Sequence, residues 1–279
     1  MINCDTQKLT ERTGRYVYGI AEHNGNVYLG EIGIDGARVY TIAYSNFAAI
    51  VHDCQEEPYQ SKDDEVVERW IMEHQRVLDL AQEKFTAVIP LGFDNIIKTK
   101  HESESPEIVV QNWLKQDLPS IAEIIEKIRA RDEYVIQISC DYNNLFEAVL
   151  QKSEKIRKLQ EGINSQSPGK AYIYKTKLEN LKKTELETLI NSWFQDIYRN
   201  VKPFTEEIII EKNKKTAKEK IMIINLSCLV EKSKVAVLGA SLEEISNRAG
   251  FSVHFSGPWP PYSFVAKPAA ITDNATEIV

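Results

Sequence analysis

Aromatic and β-branched residues alternate along several short segments near the start of the chain, a pattern typical of β-strands. The first predicted strand is "RYVYGIAE" (15–22). The Asn-Gly turn in "HNGN" leads into a short strand over 27–32 that we expect to pair back on it. A turn at 34–36 precedes a third strand, and a further apolar segment covers 47–54. The chain therefore opens with a predicted sheet.

Apolar residues then recur at three- and four-residue steps, which predicts an amphipathic helix over 63–85 with acidic residues at its start. The strand predicted over 86–93 contains Pro90, which indicates an edge strand or a bulge. The Ser-Pro pair at 105–106 predicts the start of another helical segment. Pro119 is expected to divide that segment into two helices.

A strand over 133–141 closes the first half. Strands, helices and a returning strand predict an α+β domain over 15–140, with a sheet covered on one face. The order is compatible with a ferredoxin-like arrangement.

The second half mixes long helical patterns with strands. We predict helices over 143–160 and 171–201, strands over 204–212 and 220–232, a helix capped by Ser241 and Glu244, and a strand over 251–257. The fold class is thus α+β with two domains: a ferredoxin-like N-terminal sheet with helices, and C-terminal helices plus an antiparallel sheet over 141–265. A polar arm (1–14) and an extended or disordered tail (266–279) flank them.

Composition supports a globular protein and disfavours several classes. The 279 residues suffice for two domains, and a net charge of −7 with a pI near 5.4 disfavours a nucleic-acid-coating role. No apolar run approaches the roughly 18 residues of a membrane span, and the N-terminus lacks the apolar core of a signal peptide. Four separated cysteines (Cys4, Cys54, Cys140, Cys228) favour reduced thiols in a cytosolic protein.

Recognisable catalytic signatures are missing, so we predict no catalytic, cofactor-binding or metal-ligating residues. His74 lies on the apolar helix face. It could carry protons, but a buried hydrogen-bonded imidazole is favoured because no partner lies at a fixed offset. Cys140 ends a strand, where buried structural cysteine is favoured over a reactive thiolate. The glycines of "GEIGIDG" (30–36) favour a turn over a nucleotide loop, since no helix follows directly.

Two further stretches have both a binding and a structural interpretation. A solvated hairpin tip is favoured over an acidic-partner site for the lysine run Lys212, Lys214, Lys215, Lys218 and Lys220. The PxxP match at Pro258 to Pro261 could be a polyproline ligand. A packed corner closing the second domain is favoured, with Trp259, Tyr262 and Phe264 filling the core. Replacing Trp259 is therefore expected to reduce stability first. A cis bond at Trp259–Pro260 or Pro260–Pro261 stays open.

Several segments, taken in order, closely resemble the gas vesicle protein F/L family. They are "YVYGI" (16–20), "GIDGARVYTIAYSNFAAIV" (33–51), "HQRVLDLAQEKFTAVIPLGFDNII" (74–97), "KAYIYKTKLE" (170–179) and "GPWPPYSFV" (257–265). The resemblance spans Arg15 to Val265. "PLGFD" (90–94) departs from the "PLRFG" that family members often carry, which affects subfamily placement.

The resemblance implies a non-enzymatic, minor structural or assembly protein of the gas vesicle, in the vesicle or the cytoplasm. Its expected partners are the small, hydrophobic major shell protein and other accessory proteins, with no nucleic acid, membrane or cofactor. It also implies a two-domain α+β fold with a ferredoxin-like N-terminal domain. The alternatives are an assembly factor that nucleates other vesicle proteins without entering the shell, and a cryptic enzyme around His74 or Cys140. The F or L branch, the binding surface and the oligomeric state stay open.

Overall fold

A computed structural model describes residues 13–99, 101, 103–163, 168–213 and 220–265. Cys4, the run of lysines from Lys214 to Lys218, most of the predicted arm and the predicted tail lie outside these residues. The chain divides into two compact units, residues 1–130 with 259–279, and residues 131–258. Within the described part, helices combine with two antiparallel sheets, which confirms the α+β class.

The first unit contains a six-stranded sheet. Its strands are β1 (Thr13–Glu22), β2 (Tyr28–Gly30), β3 (Val39–Tyr44), β4 (Phe47–Gln55), β5 (Val88–Pro90) and β6 (Ile96–Ile97). The order is β2-β3-β4-β1-β5, and β6 also pairs with β1. The prediction that β2 pairs back on β1 is wrong, because β4 and β5 occupy the two sides of β1 and β2 pairs with β3. Pro90 lies on the edge strand β5, as expected.

Helices cover both faces of this sheet, which corrects the predicted one-sided cover. They are α1 (Asp64–Lys84), α2 (Pro106–Gln116) and α3 (Leu118–Ile128). Asp63 caps α1, its carboxylate accepting from the Glu65 backbone N–H at 3.0 Å. The α1 helix packs on one face through Val77, Leu78 and Ala81. The opposite face packs against α2 and α3 through Val110, Trp113, Leu114, Ile121, Ile125 and Ile128.

A bulge in β1 changes which of its residues face α1. Its register against β4 shifts between Val17 and Gly19, so the strict alternation of side chains is broken there. Tyr16, Tyr18 and Ala21 therefore belong to the core under α1, while Val17 and Ile20 face α2 and α3.

The second unit contains a four-stranded sheet. Its strands are β7 (Arg131–Asp141), β8 (Thr205–Ile210), β9 (Lys220–Glu231) and β10 (Phe251–Trp259) in the order β10-β7-β9-β8. The helices α4 (Tyr142–Lys152), α5 (Glu154–Ile163) and α6 (Pro168–Val201) lie between β7 and β8, and α7 (Val235–Ser246) lies between β9 and β10. This is the β-α-β-β-α-β sequence of a ferredoxin-like fold, with its first and third strands central.

The ferredoxin-like arrangement thus belongs to the second unit and not, as predicted, to the first. The predicted boundary near residue 140 is displaced because β7 pairs with β9, from Arg131 opposite Glu231 to Asp141 opposite Lys220. Strand patterns alone carry no information on such a distant partner.

The α7 helix begins at Val235, so the predicted cap at Ser241 is wrong. Leu238, Leu242 and Ile245 are buried on one face of α7, a periodicity that starts before Ser241. Burial of Leu238 therefore draws the helix start toward β9 and leaves Ser241 inside it.

Candidate interaction surface

Four aromatic polar side chains lie together in the core beneath α1. Tyr16 and Tyr18 project from β1 toward α1, and the pairing of β1 with β4 sets His52 opposite Tyr16. The rings of Tyr16 and His52 are stacked, with centroids 4.9 Å apart. His74 enters from α1 and its ring meets that of Tyr18 at 5.4 Å. We call these four residues the tyrosine–histidine cluster.

The hydrogen bonds of His74 define its tautomer. Its Nε2 lies 3.0 Å from the Leu91 carbonyl oxygen, which can only accept, so Nε2 carries the proton. Nδ1 therefore accepts from the Tyr16 hydroxyl at 2.8 Å. That hydroxyl also accepts from the Asp94 backbone N–H at 3.1 Å. The imidazole is fully hydrogen-bonded while neutral.

A second chain of hydrogen bonds runs through His52. The Tyr18 hydroxyl accepts from the Ile34 backbone N–H at 3.0 Å and bonds to His52 Nδ1 at 2.8 Å. His52 Nε2 continues to the Tyr59 hydroxyl at 2.9 Å. The segment after β4 is thereby tied to the sheet.

Burial keeps the cluster uncharged. Desolvation lowers the pKa of His74 to about 4, and the bond to Leu91 offsets this in part. Desolvation likewise lowers the pKa of His52 to about 4, and the neighbouring Asp53 opposes the shift. It also raises the pKa values of the Tyr16 and Tyr18 hydroxyls well above their usual range. At neutral pH none of the four groups is poised to exchange a proton, as a structural His74 requires.

The glycine-rich segment is a turn that holds α1, in agreement with its sequence-based interpretation. Asp35 adopts a left-handed conformation (φ 52°) within residues 34–36. Its carboxylate accepts from Arg69 Nη2 and Trp70 Nε1, both at 2.9 Å. Gly33 is required because an added Cβ would lie 2.7 Å from the Tyr18 hydroxyl. The turn therefore joins the cluster to the first half of α1.

The C-terminal segment 259–265 belongs to the first unit, not to the predicted corner of the second. The Trp259 carbonyl accepts from Gln82 Nε2 at 3.4 Å. The Tyr262 hydroxyl donates to Gln75 Oε1 at 3.3 Å and lies 3.4 Å from His74 Nε2. The segment thus lies along α1, above the tyrosine–histidine cluster. The cis bond of this region is Gly257–Pro258.

Only part of the predicted aromatic core forms there. Phe264 is buried and its carbonyl accepts from Lys127 Nζ at 3.1 Å. Trp259 is 43% exposed and Tyr262 is 37% exposed. The expectation that Trp259 fills the core is therefore corrected: Phe264 anchors the segment, while the Trp259 and Tyr262 rings remain accessible.

Exposed apolar side chains of α1 continue this surface. Ile71 and Met72 precede Gln75 by four and three residues, so they share its helix face. Ile71 is 47% exposed and Met72 is 71% exposed. We call Ile71, Met72, Trp259 and Tyr262 the α1 surface. It presents two aromatic rings and two flexible apolar chains on a rigid support.

The three described cysteines have thiols with raised pKa values. Cys140 is buried, and burial raises the pKa of its thiol. Burial also raises the pKa of Cys54 to about 11 and that of Cys228 to about 12, so all three are protonated at neutral pH. Residues 13–99, 101, 103–163, 168–213 and 220–265 contain no cluster of histidine, cysteine and carboxylate side chains suited to a metal ion. No helix in these ranges is long and apolar enough to cross a membrane.

In the sequence, the lysine run lies between β8 and β9, which pair antiparallel. Lys212 and Lys220 are its two described members, at the ends of the connection. Whether the run contacts an acidic partner stays a prediction.

The sequence and the fold have counterparts among known proteins. The sequence model of the family described as gas vesicle synthesis protein GvpL/GvpF matches residues 14–266. The chain belongs to this family. It therefore has a role in the gas vesicle, as the resemblance implied.

Relatives of this GvpL/GvpF family member include gas vesicle proteins of Halobacterium salinarum and Haloferax mediterranei. Gas vesicle protein L1 of Halobacterium salinarum is 26% identical, and the match covers 92% of each chain. Gas vesicle protein L of Haloferax mediterranei is 27% identical over 83% of this chain and 72% of its own. Gas vesicle protein F2 of Halobacterium salinarum is 22% identical over 90% and 91%.

Two crystal structures share the fold. GvpF from Anabaena sp. PCC7120 superposes with a TM-score of 0.72 at 20% identity, covering 91% of this chain and 98% of that one. GvpF from Microcystis aeruginosa has a TM-score of 0.63 at 19% identity, covering 90% and 98%. At these identities the likeness concerns the fold.

Sequence reasoning found His74 but missed its partners. The signal was present in Tyr16 and Tyr18, two polar aromatics at alternate positions of a strand that is otherwise apolar. Two buried hydroxyls on one face require two acceptors. Their identity as His52 and His74 depends on the pairing of β1 with β4 and on the docking of α1.

Proposed function

We propose that this protein is a minor structural or assembly protein of the gas vesicle that binds the major shell protein through the α1 surface. Contact is with the apolar part of that partner, and no catalysis is involved. The observation that carries the proposal is the exposure of Ile71, Met72, Trp259 and Tyr262 on one helix and its overlying segment. Partly buried aromatic and flexible side chains are typical anchors of protein interfaces.

The support beneath this surface fits a binding role. The Tyr262 hydroxyl bonds to Gln75, and Gln75 Nε2 donates to Asp79 Oδ1 at 2.8 Å, so the ring is held before a partner arrives. A preorganised surface loses less conformational entropy on binding. The surrounding acidic chain keeps the protein soluble beside a hydrophobic partner.

The state of the buried groups also favours a non-enzymatic role. The tyrosine–histidine cluster is neutral and hydrogen-bonded within the core, and the described cysteines are protonated thiols. A general base or nucleophile needs a pKa closer to neutrality and access to a substrate. These residues can be explained by their contribution to the stability of the core beneath α1, and no reaction is needed to account for them.

The test is a pull-down with the major shell protein of the same organism, carried out with the tag on either partner. We expect the wild type to be captured in both orders and the variant Ile71→Ser/Met72→Ser to lose most of that capture. Ile108→Ser is the matched control, because Ile108 is 54% exposed on α2, outside the α1 surface. Absence of capture in both orders, or equal loss in the control, contradicts the proposal.

A urea wash of purified vesicles distinguishes the structural role from an assembly factor that never enters the shell. A shell component stays with intact vesicles after the wash. Its absence from unwashed vesicles, with normal capture by the shell protein, assigns the protein to assembly alone. Normal vesicle formation by His74→Ala and Cys140→Ala variants that remain folded contradicts an enzymatic role for these residues.

A further inference from the structure

The first half of α6 and the whole of α5 form a helical arm that stands apart from the sheet core. The 34-residue helix α6 is about 50 Å long at about 1.5 Å per residue. Its second half packs on the second sheet through residues such as Trp193, Ile197 and Val201. Its first half packs with α4 and α5 around Ile156 and Leu178.

This arm carries a charge opposite to that of the rest of the chain. Residues 152–163 and 168–183, which we call the basic arm, contain nine lysines and arginines and three glutamates, a net charge of +6. Since the whole chain has a net charge of −7, everything outside the basic arm has −13. Such an asymmetry attracts the arm to a negatively charged surface.

Most of the positive charge of the basic arm is exposed. Two ion pairs within it are Lys158 with Glu154 and Lys182 with Glu179, both at 2.9 Å. Its other exposed cations include Lys155, Lys170 and Lys175. These three have no carboxylate partner among the described residues.

The basic arm also exposes apolar groups beside these cations. Tyr172 is 75% exposed and Ile173 is 54% exposed. Both lie on α6 between Lys170 and Lys175. Charge and apolar side chains together form a surface suited to a protein partner, because Tyr172 and Ile173 offer area to bury once the charges meet.

The same chain supplies a surface of matching charge. Residues 53–68, which we call the acidic run, contain seven aspartates and glutamates and one lysine, a net charge of −6. The run connects β4 to the first turn of α1. Glu57, Asp64 and Glu68 are exposed within it.

We propose that the basic arm docks on the acidic run of a second copy of this chain. Every copy carries both surfaces, so two copies can associate through one such contact or through two related by a two-fold axis. The inference does not depend on binding to the shell protein. It pairs charges of the second unit in one copy with charges of the first unit in the other.

Sedimentation velocity of the full chain tests this over a range of concentrations. At low ionic strength we expect the sedimentation coefficient to rise with concentration, and at about 0.5 M NaCl we expect a monomer, since screening is then nearly complete within a few ångströms. A variant Lys155→Glu/Lys175→Glu is expected to weaken association by about tenfold or more. Lys115→Glu/Lys202→Glu makes the same charge change at exposed sites outside the arm and should leave the salt dependence in place.

A charge exchange identifies the partner surface. Glu57→Lys/Glu68→Lys reverses two charges of the acidic run, so this variant alone should also remain monomeric. Mixed with Lys155→Glu/Lys175→Glu, it should associate, because each altered surface then meets one of opposite charge. Circular dichroism confirms that each variant is folded.

Three results overturn the proposal: a monomeric wild type at low salt, self-association unchanged by the arm variant, or no association in the mixture. A wild type that stays monomeric but binds a short DNA duplex through the arm overturns it as well, and assigns the arm to nucleic acid.

Discussion

The two sheets of this protein differ in how helices cover their faces. The first sheet has helices on both faces, so polar side chains beneath α1 are enclosed and must be hydrogen-bonded. The second sheet packs its helices through an apolar core on one face. The other face carries Gln137, Asn225 and Ser227, with the Gln137 Nε2 bonded to Asn225 Oδ1 at 3.2 Å.

The two cores differ in the substitutions that they tolerate. The core of the second sheet depends on apolar area, which tolerates exchange between residues of similar volume. The core under α1 also depends on matched donors and acceptors in the tyrosine–histidine cluster, whose partners cannot be exchanged individually without leaving a buried polar atom unsatisfied. The first unit should therefore respond to protonation and to loss of single atoms, and the second to loss of volume.

Acidification should have the largest effect and should act on the first unit. The unfolded histidines have an ordinary pKa of 6.5, while His52 and His74 have folded pKa values of about 4. Stability is fully present above pH 6.5 and falls as the pH drops toward 4, because only the unfolded state gains protons there. The slope approaches about 1.4 kcal/mol per pH unit for each histidine once its unfolded form is mostly protonated, so the two together lose roughly 4 kcal/mol between pH 7 and pH 5.

Denaturant titrations at pH 7 and pH 5 measure this loss as a free energy of unfolding. His74→Gln should reduce the pH dependence, since one of the two groups is removed. His254→Gln, at an exposed position of β10, is the control and should leave it unchanged. Equal pH dependence in the wild type and in His74→Gln would contradict the assignment of this stability loss to His74.

Shortening a buried side chain of the second sheet should, at constant pH, lower the free energy of unfolding nearly as much as acidification does. Leu226 is fully buried on β9, and Leu226→Ala is expected to lower the free energy of unfolding by about 3 kcal/mol through lost contacts and a cavity. Urea denaturation at pH 7 measures the change. Leu80→Ala, at an exposed position of α1, should cost below about 1 kcal/mol, and similar losses for both would contradict the described core.

Removal of one oxygen atom should be costly beneath α1. Tyr16→Phe leaves His74 Nδ1 without its donor and the Asp94 N–H without its acceptor. We expect a loss of about 2 kcal/mol. The matched control is Tyr28→Phe, at an exposed position of β2. It should change the free energy of unfolding by below about 0.5 kcal/mol in the same urea experiment. If Tyr16→Phe leaves the free energy of unfolding unchanged, the matched donors and acceptors of the cluster do not restrict substitution in this core.

The smallest effect on stability is expected at Trp259. Its ring is largely accessible, so Trp259→Ala should cost below about 1 kcal/mol, whereas Phe264→Ala should cost about 3 kcal/mol. Thermal unfolding of both variants tests the ranking. A reversed order would mean that Trp259, and not Phe264, anchors the C-terminal segment.

Local features could be predicted from the sequence because they depend on neighbouring residues. The start of α1 near Asp63, the division of a helical segment near Pro119 and the end of α6 at Val201 follow from periodicity and from the absence of a proline N–H. The α7 start was mistaken because a capping pattern at Ser241 competed with the burial of Leu238, and the apolar contact with the second core prevailed.

The candidate site depended more on distant contacts. Nothing local distinguishes a Phe264 that anchors the segment from a Trp259 that remains exposed, since both are large aromatics within six residues of each other. Nor does the position of His74 on an apolar helix face identify Tyr16, which lies 58 residues away and donates to it.

By itself, the sequence determined the α+β class, most helix positions, the turn at 34–36 and, through the order of its motifs, the gas vesicle family. The class, the helices and the turn follow from short-range sterics, hydrogen bonding and side-chain periodicity, whereas the family follows from the resemblance of the ordered segments to its members. Only the tertiary structure decided that β7 belongs to the second sheet, that the ferredoxin-like order is there, and that residues 259–265 return to the first unit. The physical reason is that strand pairing and burial are shared between segments far apart in the chain, so neither partner alone specifies the other.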